Sequence, residues 1–467
     1  MITYFPNIIS RKAMIAYVIA LAIVSLLFFN QMLPFIWMVF GLVEVWAFFY
    51  FSNDLTKRWQ FLSPKRFIKK LFWVSLAIRL VYMVFSYFFY DAMTGQPFMF
   101  HSADEQVYYG MSKIWREQGL GALHNAMRNL GVDDSGEIYL TGFMCLVFGH
   151  YVLTARVLHS VLSALTCVLM YRLSRRHFGE STGRMTAIFC MLMPNLVYYC
   201  GLHLKEADML FFTVLFIDRI DMLFFERKAG FWNILIALLS GFALFTFRTV
   251  LGAVGVVAVG VAAAFNKGRI EAWWKRIALV VLVGAALTTT TIGMRIMSEV
   301  DTAWSRRETN QEEGMEWRAQ REGGNTFARY ASSAVFAPLI FTIPFPTMVN
   351  TAGQENQQML NGGNFVKNVM SGFTVFALVL LLLDGDWRKH TLPLAMMGGY
   401  LVVIAFSNFA HSERFHQPAL PFELMFAAYG ISRLTNRHVK WIDYWLAVIV
   451  VANVVWAWFK LAGRGIV

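Results

Sequence analysis

YVLTARVLHSVLSALTCVLMYRLSRR, residues 151–176, decides the fold. Its apolar run of about 22 residues is the length a helix needs to cross roughly 30 Å of hydrocarbon. The run ends on Arg172, Arg175 and Arg176, the kind of basic cluster that stays on the cytoplasmic side of a bilayer. Apolar runs of roughly 17 to 22 residues recur along the whole chain. Of the 467 residues 57% are hydrophobic and 15% charged, and the mean hydropathy is +0.51, so there is too little polar surface to clothe a water-soluble domain. An all-α integral membrane protein follows, with no separate soluble domain.

The net charge of +12 reports topology rather than a nucleic-acid partner, because the cations sit in short clusters between the runs. Arg11 and Lys12 precede the first run; Lys57, Arg58, Lys65, Arg66, Lys69 and Lys70 follow the second. Applying this rule predicts about thirteen transmembrane helices, with the amino end inside and the carboxyl end outside. Their expected positions are 14–29, 33–52, 71–90, 151–172, 183–202, 206–225, 231–247, 249–266, 277–297, 365–383, 391–408, 418–434 and 441–459. The connectors NKGRIEAWWKR (266–276) and DGDWRKH (384–390) then fall inside, while the chain must turn sharply at Phe247, Arg248 and Thr249. The first run lacks a small-residue cleavage site and leads almost directly into a second, which makes it a retained helix. Cys145, Cys167, Cys190 and Cys200 lie in or beside apolar segments and form no disulfide framework.

Four regions follow: residues 1–70 with two amino-terminal helices and a basic connector, a core at 71–297, a loop region at 298–364, and carboxyl-terminal helices at 365–467. Two long external loops are expected, 91–150 and 298–364. Within the first, YLTGFMCLVFG (139–149) is apolar but too short to span, which suits an interfacial helix; 331–346, with three prolines, is expected to be a similar half-buried element.

Chemistry concentrates on the outer side. HSADEQVYYG (101–110) sets Asp104 and Glu105 side by side, followed by Tyr108. Ser102 and Glu105 have capping-box spacing, so the pair reads either as a helix start or as a general base or metal ligand at the membrane surface. GLHLKEADML (201–210) places Lys205, Glu206 and Asp208 at the next external turn, where the acids either meet a helix dipole or line the same cleft as Asp104. Arg248, in LFTFRTVLG, and Arg414, in HSERFHQPALP, are cations in apolar surroundings: each snorkels to the interface or serves an anion, and guanidinium suits phosphate. Arg79 and Arg156 are arginines within spans that can pair with carboxylates to hold the bundle, and Asp218, Arg219 and Asp221 read as local pairing at the inner end. The histidines show no metal-ligand spacing, His411 and His416 included. No GxxxxGK[ST] or GxSxG element is present, so ATP-driven transport and serine hydrolysis lack their usual signals.

The order of these elements is similar to the polytopic GT-C glycosyltransferases, specifically bacterial relatives of protein O-mannosyltransferases and of the lipid A aminoarabinose transferase. The resemblance spans roughly residues 71–440 and is most specific at Phe148, Gly149 and Arg156 and at Arg414, Phe415, Pro418 and Pro421. It implies GT-C architecture in a bacterial cytoplasmic (inner) membrane, with the active face outside. It also implies inverting transfer of a sugar from a polyprenyl-phosphate donor to a glycan, lipid or protein acceptor. Carried over, Asp104 is the base and Glu105 the second candidate; Arg248 and Arg414 meet the lipid phosphate; Tyr108, Lys205, Glu206 and His416 line the substrate cleft. A divalent metal is optional, because the phosphate leaving group is already anionic, and the metal ligands are unassigned. The chain departs from the pattern in its two extra amino-terminal helices and in reading KEAD at the second loop. Two alternatives stand beside this reading: an O-antigen-type polymerase or ligase using a diphosphate-linked glycan, and a lipid or solute transporter or flippase, which also explains the charges within spans.

Overall fold

A computed structural model describes residues 3–101, 103–127, 135–225, 230–265, 337–407, 410–435, 438–464 and 466, with isolated positions 294, 298, 301 and 305. The described chain is helical, with one isolated bridge between Met32 and Val349. In chain order the helices are α1 (Asn7–Leu27), α2 (Phe35–Trp59), α3 (Pro64–Thr94), α4 (Ala103–Gln118), α5 (Leu120–Ala126) and α6 (Ser135–Phe148). Then come α7 (Val152–Phe178), α8 (Glu180–Leu192), α9 (Pro194–Cys200), α10 (Glu206–Phe225), α11 (Phe231–Phe247) and α12 (Thr249–Phe265). Beyond them the longer helices are α13 (Asn361–Leu383), α14 (Thr391–Ala405), α15 (Leu420–Ser432) and α16 (Val439–Ala462), with single helical turns at Glu355–Met359 and Glu413–His416.

Among the described residues six helices, α1, α2, α3, α7, α13 and α16, are long and apolar enough to cross a membrane. They leave large apolar side chains uncovered, such as Val81 at 71% and Leu383 at 78% exposure, as lipid-facing surfaces do. This is a helical membrane protein. Helices α11, α12 and α15 are apolar but shorter, and the span expected at 277–297 lies outside the described residues but for Met294.

The span expected at 183–202 is two helices, α8 and α9, separated by extended Met193 (φ −61°, ψ 115°). Pro194 is the cause: it forces its predecessor out of the helical region and has no N–H for the carbonyl of Cys190. Arg79 of α3, fully buried, takes over that carbonyl at 3.2 Å and also donates to Ser75 Oγ and Ser163 Oγ, both at 2.6 Å. Its partners are therefore carbonyls, hydroxyls and the Cys167 thiol rather than the carboxylate that is one reading of it from sequence.

The turn expected at Arg248 is present: α11 ends at Phe247, Arg248 is extended (φ −164°, ψ 108°), and α12 begins at Thr249. α6 is the expected short apolar helix, with Phe143 and Phe148 exposed on it. The segment expected to be half-buried at 331–346 is different where it is described. After a single 3-10 turn at Ala337–Leu339 the chain runs irregularly and is buried from Ile343 to Val349, its prolines preventing a helix.

The two amino-terminal helices belong to the same bundle. Half-buried Glu44 of α2 accepts a hydrogen bond from Gly363 N at 2.8 Å, and Tyr17 of α1 donates to Asn361, both at the amino end of α13. α13 and α15 pack backbone to backbone: a Cβ on Gly430 would sit 2.3 Å from the carbonyl of Phe373. The turn before α15 lies beside the first turns of α4 and α10.

Candidate functional site

Asp104 and Glu105 occupy the first turn of α4, where successive side chains diverge by about 100°. Glu105 points inward and is fully buried. It accepts hydrogen bonds from Met99 N (2.7 Å), His203 N (2.5 Å) and Arg156 Nη2 (3.3 Å). Arg156 thus finds the carboxylate partner expected for a span arginine, and Glu105 is a buried strut joining α4, α7 and the 201–205 turn. The capping-box partner Ser102 lies outside the described residues.

Asp104 points the other way and is half exposed, at 50% of its side chain, accepting a hydrogen bond from Arg414 Nη1 at 2.5 Å. Arg414, in the short helical turn Glu413–His416, donates through Nε to the fully buried Glu206 at the start of α10. Arg248 approaches the same Glu206 oxygen to 3.9 Å. It also donates to the Tyr400 hydroxyl at 2.9 Å and lies over the Phe415 ring at 4.3 Å. Burial alone lowers the affinity of Arg414 for its proton, but Glu206 and then Asp104 outweigh that and raise it above the ordinary guanidinium range. Four residues singled out in the sequence, Asp104, Glu206, Arg248 and Arg414, come from four separate segments and meet at one place. Glu206 Oε2 has no hydrogen-bond partner among the described residues.

The other sequence candidates lie elsewhere. Tyr108, one turn beyond Glu105 on the inner face of α4, and Lys205 are buried. His416 is buried behind Arg414, with Nδ1 2.8 Å from Lys367 Nζ and Nε2 2.8 Å from the carbonyl of Ala410. It faces the core rather than the Asp104 cluster.

Two cavities flank α4. One of about 450 Å³ is lined by Gln96, Phe98, His101, Ala103 and Gln106, immediately around Asp104 in the chain. The other, about 580 Å³ and mostly apolar, opens among Tyr87 of α3, Tyr109 of α4, Met144 and Phe148 of α6, and Val157 of α7.

Sequence reading missed one group. Glu137 of α6, His159 of α7 and Asp208 of α10 converge in the interior, all three fully buried. Burial pushes the Glu137 carboxyl up to about 7, against the opposing pull of His159. Residues 137, 159 and 208 have no common local spacing; the one available signal is that His159 lies one turn from Arg156 on the inward face of α7.

No protein-family model matches the chain, and no curated protein is a significant match.

Proposed function

We propose that this chain is a membrane glycosyltransferase of GT-C type that transfers a sugar from a polyprenyl-phosphate donor to an acceptor hydroxyl. In this reading it sits in a bacterial inner membrane with the Asp104 side facing away from the cytoplasm. The observation that carries the reading is the Asp104, Arg414, Glu206 and Arg248 constellation: a half-exposed carboxylate held by a cation that a buried carboxylate anchors, with a second cation alongside. The apolar cavity among α3, α4, α6 and α7 supports a donor whose lipid tail enters from the bilayer.

The chemistry follows from the competition for Arg414. A donor phosphate displaces Asp104 from Arg414 Nη1, because guanidinium binds phosphate at least as well as carboxylate. The freed Asp104 oxygen then accepts the proton of the acceptor hydroxyl as that oxygen bonds to the anomeric carbon. The bond from the anomeric carbon to phosphate oxygen breaks, its electron pair stays on the phosphate, and Arg414 and Arg248 stabilise the added charge. Attack opposite the leaving group inverts the anomeric centre. Glu206 keeps Arg414 in place when Asp104 lets go.

The charges within spans that would suit a transporter have partners in the bundle. Arg79 is held by hydroxyls and carbonyls, Arg156 by Glu105, and Arg219 by Asp218 and Asn233. The test is mass spectrometry of lipids that co-purify with the wild-type protein and with Arg248→Ala. A polyprenyl-monophosphate sugar in the first and its depletion in the second is the expected result. A diphosphate-linked oligosaccharide would instead indicate a polymerase or ligase, and ordinary phospholipid in both would remove the basis for a phosphate site.

A further inference from the structure

The buried group formed by Glu137, His159 and Asp208 sets two carboxyl groups against one imidazole. His159 Nε2 lies 3.4 Å from Glu137 Oε1 and 3.3 Å from Asp208 Oδ2. One ligand atom from each of the three residues falls within 4.8 Å of the others. Among the described residues neither oxygen of Glu137, neither oxygen of Asp208, nor His159 Nε2 has a hydrogen-bond partner, and all three side chains are wholly buried. Two dehydrated carboxylates facing each other are costly unless a cation lies between them.

The histidine is oriented for that cation. His159 Nδ1 is 2.8 Å from the carbonyl of Leu202, which can only accept, so Nδ1 carries a proton. In the neutral ring, Nε2 then presents its lone pair to the two carboxylates. A ring whose far N–H is fixed on a backbone carbonyl is the arrangement that metal-binding histidines use to set tautomer and direction.

We propose that Glu137, His159 and Asp208 bind one divalent transition-metal ion in the interior of the bundle. Two carboxylates and a neutral imidazole balance the charge of such an ion, and one nitrogen with two or more oxygens suits zinc or manganese. The ion ties α6, α7 and α10 together. It also orients the first turn of α10, where Glu206 stands two residues before Asp208 and anchors Arg414. The inference goes beyond sugar transfer and does not depend on it, since an ion held here is read without any substrate.

The full-length protein in detergent, freed of metal with a chelator, is reloaded with Mn²⁺ or Zn²⁺ and desalted, and retained metal is counted by mass spectrometry. The wild type is expected to keep about one ion per chain, and Asp208→Asn and Glu137→Gln to bind at least ~10-fold more weakly. Pulsed EPR of the Mn²⁺ form is expected to show ¹⁴N coupling from the imidazole that disappears in His159→Gln. A wild-type protein that retains neither ion overturns the site and leaves a protonated His159 between the two carboxylates. Equal retention by all three variants also overturns it, by putting the ion elsewhere. Should the variants fail to fold, the wild type alone decides: retained Mn²⁺ without ¹⁴N coupling places the ion away from His159 and overturns the site.

Discussion

Arg176 and Arg414 each bind two carboxylates, at two different places in the bundle, and they differ in what they leave open. Arg176 of α7 donates to Asp221 Oδ2 and Asp218 Oδ1 on α10, both at 2.7 Å, and His177 adds a contact to Asp221 at 3.1 Å. Both aspartates are fully buried, so this cluster is a closed clasp between two helices. Arg414 also bridges two acids, but one of them, Asp104, is half exposed. The same ion-pair chemistry holds helices together where every partner is enclosed, and leaves binding capacity where one partner faces an opening.

Substitutions that separate stability from the proposed sugar transfer can break this contrast. The largest loss of stability is expected for Arg176→Ala, which leaves two buried aspartates with only Arg219 and His177 as partners, at about 3–5 kcal/mol. Thermal unfolding in detergent measures it, and a loss under ~1 kcal/mol would show that the clasp is not structural. Arg156→Leu follows at about 3 kcal/mol, because Glu105 keeps two backbone donors when the guanidinium goes. Arg414→Ala is expected to cost about 2 kcal/mol through buried Glu206, and to reduce sugar transfer in a membrane assay by about 10²-fold or more. Asp104→Asn completes the series: the folded protein is expected to lose under ~1 kcal/mol, as exposed pairs do, while transfer falls by about 10²–10⁴-fold. The two orders run in opposite directions, and an Asp104→Asn protein that transfers normally would make the open cluster as structural as the closed one.

Much of the helical plan was legible because it depends on short-range properties. Run length marked α1, α2, α3 and α7, and the lone Arg248 between apolar stretches marked the α11 to α12 turn. Pro194 was equally visible, yet its effect was not, because an apolar run reads as one span until the missing N–H is counted. The neighbouring Asp104 and Glu105 were singled out together, but nothing local told which would be buried. That was settled by the His203 backbone and Arg156, remote in the chain, which capture Glu105 and leave Asp104 to Arg414. Glu137 and His159 escaped notice for a related reason: neither has a second ligand-type residue at local spacing, and their relation to Asp208 exists only once α6, α7 and α10 pack.

Composition and the spacing of apolar runs suffice to make this a helical membrane chain with its polar chemistry confined to a few named residues, since hydrophobic transfer and helix length are properties of each segment alone. Which carboxylate is enclosed, which is left accessible, and which three polar groups share an interior space are decided by packing. A charge takes its meaning from its nearest partner, and here those partners lie from about fifty to three hundred residues away.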